Sequence, residues 1–337
     1  MKKILSISIA AYNVANCVAE TLDTLIAAEE VLDKIQIIIV NDGSKDKTSE
    51  IAAEYCTKYP DSFFLLNKQN GGYGSTINAA LKVATGKYFR LLDGDDWYFT
   101  ENLKSYLDFL EQADADLVLT PYVEYYENNG TEKLWDRQHL EPLKEYTVEE
   151  IKSSELTDMK MHELAAKTSM MKERGIEITE HCFYTDTEYA FLNFFYAKTI
   201  VKFNLPIYKY RIGRAGQSVS IEGRLKHSED AGRVLDKIAT LYEAEKHELS
   251  GVKKQLLWDT IKMNAEFQYT TYLLFEQSKE NVDRIKHYDE KLRRISESLY
   301  RELPKHSKAA RLLRLTRYHG YGLIREIMIS RMDKGKL

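Results

Sequence analysis

The densest chemistry in the chain is the run Leu91-Leu92-Asp93-Gly94-Asp95-Asp96-Trp97, which puts three carboxylates in four residues directly after an apolar stretch. Such a cluster repels itself unless a cation sits among it. Hard oxygen ligands suit Mg²⁺ or Mn²⁺, ions that use one or two protein carboxylates and complete their shell with phosphate oxygens. One reading is therefore a metal that clamps a diphosphate, and the other is an Asp-rich turn leading into a helix near Thr100. Asp42, in Asn41-Asp42-Gly43-Ser44, could accept hydrogen bonds from a ribose or a base edge, or serve only as turn chemistry. Asn70-Gly71-Gly72-Tyr73-Gly74-Ser75 permits close backbone approach to a ligand and precedes a helix N-terminus. It matches neither the phosphate-loop pattern nor Gly-x-Gly-x-x-Gly. His162, between Met161 and Glu163, reads as an ordinary core or surface histidine rather than a ligand.

The elements that must position these residues follow a simple rhythm. Apolar runs at Leu5 to Ile9, Ile35 to Val40, Phe63 to Leu66 and Tyr88 to Leu92 alternate with helical patterns at Val18 to Ala28, Thr48 to Lys58 and Ser75 to Val83. That is the βαβα order of a mostly parallel α/β sheet with helices on both faces. Ligands of such sheets bind beyond the carboxyl ends of the strands, where Tyr12-Asn13, Asn41 to Ser44, Asn67 to Gly74 and Asp93 to Asp96 all fall. Thr100 to Glu111 reads as a further helix and Leu117 to Thr120 as a strand, whereas the pattern weakens from Pro121 to Leu143. Thr147-Val148-Glu149-Glu150 matches a capping box opening a helix near Ile151, and Met159 to Arg174 reads as helix or ordered loop. Past Ser220 the strand signals stop and apolar residues recur at helical spacing, as in Leu235, Ile238, Leu241 and Tyr242. The expected division is a catalytic-sized domain over 1–220 and a helical region over 221–337.

The chain's 337 residues, 44% hydrophobic and 30% charged, can bury a sizeable core. A net charge of -4 gives no global attraction to nucleic acid. Cys17, Cys56 and Cys182 are too few and too scattered for a disulfide framework or a zinc site, so a cytoplasmic setting is expected. Ile4 to Val14 superficially resembles a signal peptide, but Tyr12 and Asn13 interrupt it, and it is read as a first buried strand. From Arg301 onward ten basic residues face three acidic ones, a local excess of +7. Interleaved with Leu312, Leu313, Leu315, Tyr318, Tyr321, Leu323 and Ile324, this segment could lie peripherally on the inner, anionic face of the cell membrane, or be a solvated or core-docking helix. Asn129-Gly130-Thr131 fits a glycosylation sequon, but without a secretory signal the match carries nothing. Trp97 could stack on a sugar or simply fill a rim.

Taken in order, Ile9-Ala10-Ala11-Tyr12-Asn13, Val40-Asn41-Asp42-Gly43-Ser44, Asn70-Gly71-Gly72 with Asn78, Gly86-Lys87-Tyr88 and Leu91 to Asp96 resemble a family 2 glycosyltransferase with the GT-A fold, its Asp-x-Asp motif being Asp93-Gly94-Asp95. Glu180-His181-Cys182-Phe183-Tyr184-Thr185-Asp186-Thr187-Glu188 resembles the family's acceptor-side segment. Tyr208-Lys209-Tyr210-Arg211 and Gln217-Ser218-Val219-Ser220 resemble the close of its catalytic domain. The resemblance implies that Tyr12 packs on the nucleotide base and Asp42 hydrogen-bonds it. It also implies that Asp93 sits near ribose and metal, Asp95 coordinates Mn²⁺ or Mg²⁺, and Asp186 is the catalytic base. Glu180 and His181 could contact acceptor hydroxyls or merely line the same loop. Two departures from the family stand out: Ala10 replaces a usual proline, and Thr76-Ile77-Asn78 replaces Ala-Arg-Asn, removing a possible phosphate or base contact.

The implied activity is inverting transfer of a sugar from a nucleoside diphosphate, UDP foremost, to a hydroxyl of a glycan or lipid-linked acceptor in surface polysaccharide or cell-wall synthesis. A sugar nucleotidyltransferase would carry a glycine-rich basic loop after the first strand, which Ala10-Ala11-Tyr12-Asn13-Val14 is not. A non-catalytic, membrane-associated scaffold of the same fold is the other alternative, and intact Asp93, Asp95 and Asp186 speak against it.

Overall fold

The computed structural model describes residues 2–152, 156, 158–213, 220–249 and 251–332. Gln217, Ser218 and Val219 of the domain-closing motif and residues 333–337 of the basic tail lie outside the described residues. The chain forms two compact units, Met1–Ala215 and Gly216–Leu337.

In the first unit, β1 (Leu5–Ala11), β2 (Ile35–Asn41), β3 (Phe63–Asn67) and β4 (Tyr88–Asp93) pair in parallel in the order β3-β2-β1-β4. Helices α1 (Val18–Ile26), α2 (Thr48–Lys58) and α3 (Tyr73–Val83) make the connections. Every residue of β2 is buried, so both sheet faces are covered and an unbroken apolar run is what the strand requires. The register brings Ala11 beside Asn41 and Ala10 beside Asp93, so the polar residues after these strands share one rim.

Past β4 come β5 (Trp97–Tyr98), α4 (Thr100–Gln112), β6 (Leu117–Leu119), β7 (Tyr122–Tyr126), β8 (Thr131–Trp135), β9 (Glu145–Thr147), β10 (Leu164–Lys167), α5 (Thr168–Glu173), α6 (Thr185–Tyr196), β11 (Thr199–Lys202) and β12 (Tyr208–Ile212). The main sheet has eight strands in the order β3-β2-β1-β4-β10-β6-β11-β9, of which β10 and β9 run antiparallel to their neighbours. Met159 to Arg174, expected as helix or loop, thus contains a central strand. Its core is Leu164-Ala165-Ala166, fully buried between β4 and β6, and the two alanines give no β-branched signal. Thr147 and Glu150 do form a capping box, but around a single 3₁₀ turn, Val148–Glu150, rather than a helix. Thr100 opens α4 without capping it, since its hydroxyl donates to the Thr24 carbonyl at 2.7 Å.

The patternless stretch from Pro121 builds most of a second sheet, ordered β5-β12-β7-β8. Every residue of β8 is exposed, so no apolar alternation marks it. The sequon is the β7–β8 hairpin turn: Gly130 has φ +68°, and Asn129 Oδ1 accepts from the Thr131 backbone at 2.9 Å.

The second unit is helical: α7 (Ile221–Lys226), α8 (Asp230–Glu245), α9 (Gly251–Tyr272), α10 (Lys279–Ile295), α11 (Glu297–His306), α12 (Lys308–Leu315) and α13 (Tyr321–Met332). Ser220, Ser278, Ser296 and Ser307 each cap a helix through the side-chain oxygen. Val234, Leu235 and Ile238 of α8 and Leu257, Ile261 and Tyr269 of α9 are buried at the expected spacing. Among the described residues, no helix is long and apolar enough to cross a membrane.

Candidate active site

The three carboxylates after β4 meet very different surroundings. Gly94 turns back over the end of β1, where its amide donates to the Ala10 carbonyl at 3.2 Å. A Cβ there would lie 2.8 Å from that same oxygen. Asp96, only 1% exposed, is held at both oxygens: the Tyr208 hydroxyl donates to Oδ2 at 2.6 Å and the Arg211 amide to Oδ1 at 2.8 Å. The same Tyr208 oxygen accepts from the Asp93 amide at 3.1 Å. Asp93 is half-buried and accepts from the Tyr73 hydroxyl at 2.7 Å. The Arg211 guanidinium reaches the Asp95 carbonyl at 3.2 Å, Glu127 at 2.8 Å and Glu20 at 3.2 Å, and lies 4.2 Å over the Trp97 ring. Trp97 therefore supports the turn from below by carrying this arginine.

Burial, with the neighbouring Asp95 charge next, pushes the Asp93 carboxyl up to about 7 against the opposing Tyr73 hydrogen bond. Burial also drives Asp96 well above the ordinary range, with Asp93 and Asp95 adding to it. This is the electrostatic debt that a cation in the cluster would relieve.

The donor set fits such an ion. Carboxylate oxygens of Asp93 and Asp96 and a ring nitrogen of His162 all lie within 4.8 Å of one another. His162 stands on a 3₁₀ turn, Met161–Glu163, its ring stacked on Tyr210 at 4.3 Å and edge-on to Tyr208 at 4.9 Å. Burial, helped by the Lys160 and Arg90 charges, lowers its pKa to about 3, so the imidazole is neutral. Its Nδ1 is buried with no hydrogen-bond partner. The reading of His162 as an ordinary core or surface histidine does not specify this neighbourhood, in which a ring nitrogen lies near the Asp93 and Asp96 carboxylates. Nothing in Lys160-Met161-His162-Glu163 signals the approach to a strand end some seventy residues earlier.

The glycine run does a different task from the one expected. Asp42, 2% exposed, accepts from the Gly71 amide at 2.9 Å and Lys68 Nζ at 2.8 Å through Oδ1, and from the Gly72 amide at 2.8 Å through Oδ2. Its carboxylate latches the run to the end of β2. On the other side the run carries the chain's own 178–182 segment. A Cβ on Gly74 would sit 2.2 Å from the Thr179 carbonyl oxygen, and the His181 amide donates to the Gly71 carbonyl at 2.5 Å. Asn78 completes the seam, exchanging hydrogen bonds of 2.8 Å with the Ile178 backbone and donating to Glu180 at 3.1 Å. At Gly72 and Gly74 the close approach is to the backbone of residues 179–182, and at Gly71 it is to the Ser75 and Lys68 side chains. At the position of the family's arginine, Ile77 is buried at 1% exposure, and beside it the Thr76 hydroxyl donates to the Tyr73 carbonyl at 2.7 Å.

From this seam the chain turns through His181 and Tyr184, at φ +51° and +63°, into α6, whose first turn holds Asp186. Burial raises the Asp186 pKa against the opposing helix amides and Lys160. The Asp186 charge in turn acts on both Asp93 and the Tyr73 hydroxyl. Glu180 and His181 are exposed beside the glycine run, and Tyr12, 51% exposed, stands just past β1. Tyr73, Tyr208 and Arg211 carry contacts that no spacing rule attributes to them; Tyr208 and Arg211 lie in a motif the sequence marks without assigning roles.

An open α/β sheet with a carboxylate cluster at its strand ends is the fold that the comparisons find among glycosyltransferases. The model of glycosyl transferase family 2 matches residues 6–174, half of the chain, and the chain belongs to that family. The minor teichoic acid biosynthesis protein GgaB of Bacillus subtilis is 37% identical over 112 residues, 33% of this chain and 12% of that one. The chain covers between 12% and 43% of the length of the first three curated relatives it matches. The fold is shared with residues 1–349 of S. aureus TarS in complex with UDP-GlcNAc, at a TM-score of 0.71 and 19% identity, covering 99% of this chain and 92% of that one. It is shared also with the mannosyltransferase PcManGT of Pyrobaculum calidifontis in complex with GDP-Man and Mn²⁺, at a TM-score of 0.55 and 14% identity, covering 99% and 87%.

Two outcomes test this geometry. Gly74→Ala should destabilise the first unit by about 1–3 kcal/mol, because the Thr179 backbone cannot yield cheaply, and a lowered urea midpoint checks it. Tyr208→Phe, which frees Asp96 and the Asp93 amide at once, should weaken Mn²⁺ binding roughly 10- to 100-fold in calorimetry while the fold persists.

Proposed function

We propose that the chain is a metal-dependent, inverting glycosyltransferase that moves a sugar from a nucleoside diphosphate, UDP foremost, to a hydroxyl of a glycan or lipid-linked acceptor. The observation that carries this reading is the placement of Asp186 within electrostatic reach of the Asp93 cluster. That proximity supports a base for the acceptor beside a cation seat for the donor. The acceptor oxygen bonds to the anomeric carbon from the side opposite the diphosphate, the bond to the β-phosphate oxygen breaks with its electron pair, and configuration inverts. Asp186 takes the hydroxyl proton, and burial holds its pKa above the ordinary aspartate value. Asp93, Asp95, Asp96 and His162 would hold the ion, which when bound supplies charge stabilisation to the departing diphosphate. The imidazole favours Mn²⁺ over Mg²⁺, which prefers oxygen alone. Tyr12 offers its exposed ring to the base, and Asp42 holds the loop beneath it. Glu180 and His181 lie on the acceptor side. The teichoic acid function in the name of GgaB supports a role in cell-wall or surface glycan assembly, and the few scattered cysteines support a cytoplasmic setting.

Calorimetric titration of UDP and GDP, with and without Mn²⁺, addresses the donor site. UDP should bind only with metal, and Asp95→Ala should abolish that linkage; if no diphosphate binds under any condition, the non-catalytic scaffold takes precedence. Asp186→Asn should cut kcat about 10²- to 10⁴-fold with donor affinity retained. Because the base works ionised, wild-type kcat/KM should fall on acidification through a limb above the ordinary aspartate value of 3.8. Equal turnover by wild type and Asp186→Asn would sink the base assignment.

A further inference from the structure

The helical unit ends in α12 and α13, whose two faces differ sharply. Inward, Arg314 pairs with Asp289, Leu313 and Ile324 are buried, and the Tyr321 hydroxyl donates to the Tyr272 carbonyl at 2.8 Å. This removes Leu313, Tyr321, Ile324 and Arg314 from the surface the sequence pattern offers. Outward, Leu312 is 40% exposed, Leu315 74%, Leu323 71% and Ile327 46%. Four of the thirteen exposed large apolar side chains among the described residues therefore fall within 16 residues, and Leu315 and Leu323 are the most exposed of all. Helical spacing sets Leu312 and Leu315 opposite the buried Ala310 and Leu313, together with Lys308 and Arg311.

Charge separates the possible occupants of this face. Between Arg301 and Ser330 there are seven basic residues against two acidic ones, in a chain of net charge -4. Lys308, Arg311 and Arg317 are exposed, and Glu326 is the one exposed acid from Lys305 to Ser330. A second copy apposed here would bring cation against cation around the apolar patch. Anionic lipid phosphates would match that rim, and an acyl boundary would take the leucines.

We infer that the outward face of α12 and α13 docks on an anionic bilayer surface, with Leu315 and Leu323 entering the headgroup boundary and Arg311 and Arg317 on lipid phosphates. The inference is independent of the transfer chemistry. Flotation of the full chain with phosphatidylcholine vesicles, pure or with half phosphatidylglycerol, tests it. Wild type should float with the anionic vesicles at ~50 mM salt and much less at ~500 mM. Leu315→Gln/Leu323→Gln should lower partitioning roughly tenfold or more, and Arg311→Glu/Arg317→Glu should erase the preference for anionic lipid. Circular dichroism and elution volume check that both variants stay folded. The inference is overturned if wild type fails to float, or if both variants float as it does. It is also overturned if light scattering shows a wild-type dimer that the leucine variant splits, which would assign the face to a second copy.

Discussion

Like charge at the end of β4 is the constraint around which the first unit is built. Asp93, Asp95 and Asp96 cannot all stay ionised and close together unless donors surround them, and the chain supplies those donors from far away in sequence. Tyr73 comes from α3, and Tyr208 and the Arg211 amide from β12. The second sheet has a clear physical purpose in this light. Pairing β12 with β5 draws Tyr208 and Arg211 under the acidic turn, with Trp97 of β5 supporting the guanidinium. The arrangement also sorts the carboxylates. Asp96 is buried and braced on both oxygens, while Asp93 and Asp95 keep the more open positions.

A second constraint joins the two sides of the site. The glycine run is latched on one side by Asp42 and covered on the other by residues 178–182, so a single loop touches both the strand ends and the segment that delivers Asp186. Asn78 binds that segment from α3 on both its backbone groups. Any displacement of the loop would shift Asp186 and the carboxylate cluster relative to one another. That coupling gives a physical reason for small residues here which is separate from contact with a phosphate.

The sequence carried the parallel half of the sheet well, because strands covered on both faces must be continuously apolar, as Ile37-Ile38-Ile39-Val40 is. It also carried the helical character of the second unit, through the spacing of residues such as Leu235 and Ile238. It failed for β10, where buried alanines take strand geometry only because β4 and β6 flank them, and for β8, whose exposed residues show no pattern at all. The acidic turn, the Asp42 turn and the glycine run were legible as polar residues after apolar runs. The use of the glycines to seat Thr179 was not legible, since that neighbour lies about a hundred positions away.

By itself, then, the amino-acid order determined the strand ends and the acidic turn, which rest on local periodicity and short-range turn chemistry, and it carried the ordered motifs by which the chain resembles its family. Only the tertiary structure decided which carboxylate is braced on both oxygens, that His162 lies near the cluster, and which leucines of α12 and α13 point outward. Those outcomes depend on long-range pairing and on burial, which set hydrogen-bond partners and desolvation, and neither is encoded in any single stretch of residues.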